Sequence, residues 1–273
     1  MDRLADERGE CRTGRYARIA SVGPHFGEEA PLVGRHGSGT VFFCGCNLNC
    51  AFCQNADISQ GPGGHPVDAA ELAGVFLRVQ ELGCHNLNLV TPTHVTPQIL
   101  EALELAVPQG LRLPIVYNCG GYEAQSTLAL LDGVVDVYMP DLKFTDPGPA
   151  RRLCRTPDYP ERASAALTEM FRQVGDLVVD DDGLAVRGLL VRHLVMPDGL
   201  AGTEAAARLL ASLSTDTYVN VMDQYRPCHR AHRHPDLGRR ITHAEHQQAE
   251  ELMRAAGLHR LDDPRRPRFL RWR

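Results

Sequence analysis

Strand and helix signals that alternate over most of the chain predict an α/β fold built on a parallel sheet. Three observations carry that expectation. Six short β-rich runs are separated by segments with helical spacing of apolar residues. Strands that alternate with helices are joined by crossover connections, which set neighbouring strands parallel. Within the 273 residues no linker is long or biased enough to mark a domain boundary, and no internal repeat is evident. Six principal strands fit either an open doubly wound sheet or an incomplete barrel.

The first 38 residues are rich in Gly, Pro and charge without a clear period, and read as an irregular arm packed on the core. TVFF (40–43) is a short apolar run that ends at a group of cysteines. VDAAELAGVFLRVQELG (67–83) has apolar residues at helical spacing and stops at Gly83. NLNLV (86–90) reads as a strand, followed by a helix over 97–106, the strand PIVYN (114–118), a helix near 123–131 and the strand VDVYM (135–139). A helix around 160–174 precedes DLVVDDDGLAVRG (176–188), a small hairpin turned at Asp182-Gly183. The strand LLVRHLVM (189–196) then leads to a helix over 203–213, the strand TYVNVM (217–222) and a last helix at 242–256. The expected division is an arm over 1–38, a core over 39–257 and a basic, Pro-broken tail over 258–273.

Composition narrows the function classes. Hydrophobic residues make up 43% and charged residues 23%, as in an ordinary globular protein. The net charge of −5 provides no basic field to draw nucleic acid or an anionic membrane. No apolar run approaches the ~20 residues that span a bilayer. The charged start MDRLADERGECRTGR lacks the apolar stretch of a secretory signal, so a cytoplasmic protein is expected.

A reducing compartment leaves the nine cysteines to be explained by something other than disulfides. Cys44, Cys46, Cys50 and Cys53 fall within ten residues, whereas Cys11, Cys84, Cys119, Cys154 and Cys228 are scattered singly. Such clustering points to metal. The last three of the group are spaced C-x3-C-x2-C. Iron–sulfur clusters usually take four thiolates, so three without a matching fourth leave one iron of a 4Fe–4S cluster open to a ligand. Cys44 also allows a four-cysteine zinc knot or a closed ferredoxin-type cluster. Ferredoxin runs use shorter first gaps, however, and zinc sites draw on two separated pairs. Cys44 is therefore read as a buried strand-end thiol.

CNLNCAFC (46–53) resembles the C-x3-C-x-aromatic-C signature of the radical S-adenosylmethionine (SAM) superfamily, with Phe52 in the aromatic place. YARIASVGPHFGEEAPLVGRHGSGTVFFCGCNLNCAFCQN, NLVTPTHVTP, YNCGGYE, MPDLKF, RHLVMPD and YVNVMDQYRP are similar to the pyruvate formate-lyase activating enzyme family, especially its activating-protein-like branch. The resemblance implies an incomplete (β/α)6 TIM-like barrel, with the cluster in the loop after the first strand and SAM in the open mouth. It implies a 4Fe–4S cluster on Cys46, Cys50 and Cys53, and SAM cleaved to a 5′-deoxyadenosyl radical that abstracts hydrogen. The partner it implies is a glycyl radical enzyme, with a peptide or small molecule as the alternative substrate, and a flavodoxin- or ferredoxin-like electron donor.

By the same resemblance Phe52 offers its backbone near the adenine, and Asn118 ends the third strand as a polar SAM contact. Where relatives carry Gly-Gly-Glu at the second strand end, this chain has Thr91-Pro92-Thr93-His94. Thr91, Thr93 and His94 offer hydrogen bonds there, but the carboxylate is missing. Asp141 and Lys143 match an Asp-Leu-Lys after the fourth strand, placed to orient the methionine zwitterion or a substrate; an ordinary ion pair at a loop start is the plainer reading. Arg192 either faces inward toward the SAM carboxylate or caps the outside. Gln224, Tyr225 and Arg226 follow the last strand, at the mouth. CHRAHRH (228–234) is spaced too irregularly for a second metal site and reads as a solvated loop, and His243 and His246 as surface residues. A non-catalytic iron–sulfur carrier or sensor closed by Cys44, and a zinc-stabilised module, are the rivals from other classes.

Overall fold

A computed structural model of the protein describes residues 2–262. Its strands are β1 (Ala17–His25), β2 (Ser38–Phe43), β3 (His65–Val67), β4 (Leu87–Val90), β5 (Ile115–Cys119), β6 (Val137–Pro140), β7 (Val178–Val179), β8 (Ala185–Leu194) and β9 (Tyr218–Met222). Its helices are α1 (Ala30–Val33), α2 (Ala56–Ser59), α3 (Ala69–Glu81), α4 (Thr96–Ala106), α5 (Gln125–Leu131), α6 (Pro147–Cys154), α7 (Tyr159–Val174), α8 (Thr203–Leu213) and α9 (His243–Ala255).

The fold is α/β with a mostly parallel central sheet, in the order β3-β1-β2-β4-β5-β6-β8 with β9 on the far side of β8. The strands β2, β4, β5, β6, β8 and β9 run parallel, and they are the six read from the sequence. Helices α3 and α9 have clear local starts. Asp68 caps α3 in a reciprocal box with Glu71, and Leu72, Ala73, Phe76 and Val79 form its buried stripe. Thr242 and Glu245 make the same box at α9.

Two parts of the chain differ from expectation. The arm over 1–38 is not irregular throughout: β1 pairs antiparallel with both β2 and β3. Its sequence, ARIASVGPH, has no clean alternation, so the strand is fixed by its tertiary partners rather than by propensity. Helix α6, PGPARRLC, is unannounced in the sequence because Pro147 and Pro149 look like breakers. Both fall in the first turn, where a missing N–H costs nothing, and the Asp146 side chain caps it by accepting from the Gly148 N–H at 2.6 Å. At the C-terminal end Leu261 bridges Val219 of β9, and the Asp262 N–H donates to the Val219 carbonyl at 2.9 Å. The remainder of the expected basic tail, 263–273, lies outside the described residues. Among the described residues no helix is long and apolar enough to cross a membrane.

The two faces of the sheet differ. One packs on the helices, with Val41, Phe43, Leu87 and Leu89 against α3 and α4, and Tyr117, Tyr138, Val191 and Val219 in a second cluster with α7 residues. The other carries Val116, Val137, Met139 and Leu190, covered by Leu32 of α1. Two residues further along β5, β6, β8 and β9, on that same second face, stand Asn118, Asp141, Arg192 and Asn220. The face thus turns from apolar to polar toward the strands' C-terminal ends, where loops build sites in α/β folds.

Candidate active site

Cys46, Cys50 and Cys53 line one cavity, together with Thr91, Asn118, Asp141, Lys143 and Arg192. The loop that carries the thiols leaves β2 through Gly45, whose φ of 88° is open to glycine but strained for other residues. It is tied down at several points. The Ala51 N–H donates to the Leu153 carbonyl at 2.7 Å and the Ala51 carbonyl accepts from the Arg230 N–H at 2.8 Å. Asn47 Nδ2 donates to the Tyr122 carbonyl at 2.8 Å, and the Arg230 guanidinium donates to the Asn49 carbonyl at 2.9 Å.

The sulfurs have their own neighbours. Cys46 Sγ accepts from the Leu48 N–H at 3.4 Å, Cys53 Sγ lies 3.3 Å from Ser59 Oγ, and Cys50 Sγ lies 3.2 Å from Cys154 Sγ. Burial pushes the Cys46 thiol up to about 12. The contact with Cys154, then burial, raises Cys50 well above its ordinary value, and burial raises Cys53. Such thiols keep their protons until a metal displaces them. Among the described residues no three His, Cys, Asp or Glu side chains converge on a single-ion position. The three soft donors instead face one shared space, which suits a multi-iron cluster with its ligands spread around it. Cys44 is buried outside that cavity, against Gly64, where an added Cβ would come within 2.4 Å of its sulfur.

Arg192 points inward. Its Nε donates to Asp141 Oδ1 and its terminal nitrogen to Asn118 Oδ1, both at 2.7 Å, and Glu28 lies 3.7 Å away. Lys143 Nζ meets Asp141 Oδ2 at 2.5 Å. Burial works to raise the Asp141 carboxyl, but Arg192 and Lys143 outweigh it and hold it below its ordinary value. For Lys143 burial pulls the other way from Asp141, and the carboxylate wins, so its pKa is raised. The network therefore stays charged across the physiological range. Tyr159, which the sequence did not single out, joins the loops behind it. Its hydroxyl accepts from the Lys143 N–H at 2.9 Å and lies within hydrogen-bond reach of the Gly120 and Asp141 carbonyls.

The residues after β4 divide. Thr91 lines the cavity. Thr93 does not; its hydroxyl donates to Glu123 Oε1 at 2.5 Å, and Tyr117 OH donates to Glu123 Oε2 at 3.1 Å. His94 is buried with its Nε2 2.8 Å from the Cys44 carbonyl, and burial lowers it to about 4. Burial lifts Glu123 to about 7, against the hydrogen bonds it receives. Sequence reading missed this carboxylate, although YNCGGYE contains it. Phe52 is buried at the cavity wall, edge-on to Phe144 at 5.9 Å.

Gln224 lines the cavity, but Tyr225 does not: it is buried, with its hydroxyl donating to the Leu237 carbonyl at 2.9 Å. The loop 228–234 serves through Arg230 as a latch on the cysteine segment. His243 is exposed, whereas His246 is half-buried and 2.9 Å from the Val221 carbonyl, because α9 packs beside β9 there.

The sequence profile of the radical SAM superfamily matches residues 40–179. An uncharacterized protein of Methanocaldococcus jannaschii is 34% identical over 254 residues, which is 90% of this chain and 69% of that one. The fold is similar to that of a radical SAM methyltransferase from Sphaerobacter thermophilus, with a TM-score of 0.52, 18% identity, and 80% of this chain and 64% of that one covered. It is also similar to the FeFe-hydrogenase maturase HydG from Carboxydothermus hydrogenoformans, with a TM-score of 0.52, 12% identity, and 79% and 50% covered. A third likeness is the radical SAM methyltransferase TsrM from Kitasatospora setae, with a TM-score of 0.52, 14% identity, and 70% and 37% covered. The chain thus spans less than two thirds of each of these solved structures, and the likeness to them is one of fold. Members of the matched superfamily use a 4Fe–4S cluster and SAM, and need an electron donor. With the profile covering half the chain and a relative matched along most of both lengths, this protein belongs to the radical SAM superfamily.

Proposed function

We propose that Cys46, Cys50 and Cys53 hold a 4Fe–4S cluster whose fourth iron is left for SAM. The observation that carries this reading is the sharing of one cavity by the three thiols and the Asp141, Lys143 and Arg192 charges. When bound and reduced, the cluster supplies an electron that cleaves SAM to methionine and a 5′-deoxyadenosyl radical. The chain's own residues bind and orient. Asp141 suits the amino group of the methionine zwitterion, and Lys143 and Arg192 suit its carboxylate. Asn118 and Thr91 add neutral hydrogen bonds, and Phe52 closes the wall beside the loop. Thr93 acts at one remove, by holding Glu123.

The finer fold reading is an incomplete (β/α)6 barrel over 39–257. Asn220 Nδ2 on β9 donates to Glu29 Oε1 at 2.7 Å, so the segment after β1 reaches the opposite end of the parallel run. That contact supports a curled sheet with its mouth at the cavity. For the substrate, the resemblance to activating enzymes favours a glycine of a partner enzyme, from which hydrogen abstraction leaves a glycyl radical. A peptide or small molecule is the second reading, favoured by solved relatives of similar fold that are named as methyltransferases and a maturase. A flavodoxin- or ferredoxin-like protein of the cytoplasm would supply the electron.

The test is electron paramagnetic resonance of the anaerobically reconstituted, reduced protein with and without SAM, beside Cys44→Ser and Cys50→Ser. SAM should perturb the 4Fe–4S signal, and only Cys50→Ser should abolish it. A signal indifferent to SAM that also disappears in Cys44→Ser means a cluster closed by four thiolates, and an electron carrier instead.

A further inference from the structure

Cys154 stands alone in the sequence, yet the fold brings it to the cysteine loop from behind. It is the last residue of α6, fully buried, and its sulfur lies 3.2 Å from that of Cys50, 104 positions away. It does not line the cavity. The residue before it, Leu153, accepts from the N–H of Ala51 at its carbonyl, at 2.7 Å. Two consecutive residues at the end of one helix thus hold two consecutive residues of the loop. The helix must stop there for this to work. The last carbonyls of a helix have no partner within it, and Arg155, in the left-handed conformation (φ 63°, ψ 23°), turns the chain away.

A thiol is a weak donor with a single hydrogen, whereas a metal-bound thiolate only accepts. In a pair this close, a ligating Cys50 leaves Cys154 as the donor. We propose that Cys154 is a positioning residue that donates an S–H hydrogen bond to the Cys50 sulfur and raises the reduction potential of the cluster. The proposal rests on the assignment of that cluster to Cys46, Cys50 and Cys53. Hydrogen bonds to ligand sulfurs are among the levers that set cluster potentials. Reduction adds negative charge that spreads onto the sulfurs, and a donor there favours the reduced state.

The experiment is a redox titration, followed by electron paramagnetic resonance, of the reconstituted full chain and of Cys154→Ala and Cys154→Ser. Iron content and the response to SAM are recorded on each sample. Both variants should assemble the cluster and respond to SAM. At a fixed applied potential, Cys154→Ala should lower the ratio of reduced to oxidised cluster by about tenfold, which is 59 mV for one electron. Cys154→Ser keeps a donor and should stay close to the parent. An unchanged potential in Cys154→Ala overturns the proposal, and so does loss of the cluster from both variants, which makes Cys154 a ligand. Persistence of the cluster in Cys50→Ser overturns instead the ligand assignment beneath it.

Discussion

Replacing Glu123 by Gln isolates a strongly perturbed carboxyl beside the site. Glu123 is fully enclosed, with its oxygens taken by Thr93 and Tyr117, and burial lifts it from 4.5 to about 7. A carboxyl with a raised pKa binds its proton more tightly in the folded chain than in the unfolded one. The stability it contributes is complete below pH 4.5 and is lost as the pH climbs through about 7. Integrated from pH 5 to pH 8, that loss is about 2.5 kcal/mol. Glu123→Gln keeps the size and one acceptor but cannot ionise. Its stability relative to the parent should therefore rise by about 2.5 kcal/mol over the same window, on top of an offset independent of pH. His94 and His193, both lowered to about 4 by burial, run in the opposite sense: their contribution is gained as pH rises from about 4 to 6.5. Both are present in parent and variant, so they cancel in the difference. Urea unfolding followed by far-UV circular dichroism at four pH values measures it. A difference that stays flat from pH 5 to pH 8 refutes the reasoning, because Glu123 would then ionise as it does in water.

Two further substitutions test the site and the scaffold separately. Asp141→Ala leaves Lys143 and Arg192 facing each other, largely buried, without their shared anion; it should cost about 3–5 kcal/mol in urea unfolding and abolish the response of the reduced cluster to SAM. Asp68→Ala removes the capping box of α3, far from the cavity, and should cost about 1 kcal/mol while leaving the cluster signal and its response to SAM as in the parent.

The parallel core was legible because its signal is local. β5, with all five residues buried, is covered on both sides and reads as a short apolar run between helical segments. The cysteine spacing was legible for the same reason, since the motif lies within one loop. What could not be read depends on which strands become neighbours. Asp141 and Arg192 were each singled out, but their pairing across 51 positions follows from β6 lying beside β8. The carboxylate missing from Thr91-Pro92-Thr93-His94 is supplied near Thr93 from 30 positions further on, by a residue that follows β5 rather than β4. Pro147 and Pro149 hid α6, and with it the reason why Cys154 is not an isolated core thiol.

These unreadable contacts share a logic. The cavity needs charges and thiols held in fixed places without being satisfied so completely that nothing is left for a ligand. Asp141 meets that demand by spending one oxygen on Arg192 and the other on Lys143, whose ammonium has three hydrogens and gives one of them to that carboxylate. The backbone around it is fixed by Tyr159 rather than by the charged side chains themselves. In the cysteine loop Ala51, which has no functional group, has both its N–H and its carbonyl tied, so that Cys50 beside it is positioned without its sulfur being consumed by the backbone. Binding capacity is thus kept in the side chains that face the cavity, and rigidity in the neighbours behind them.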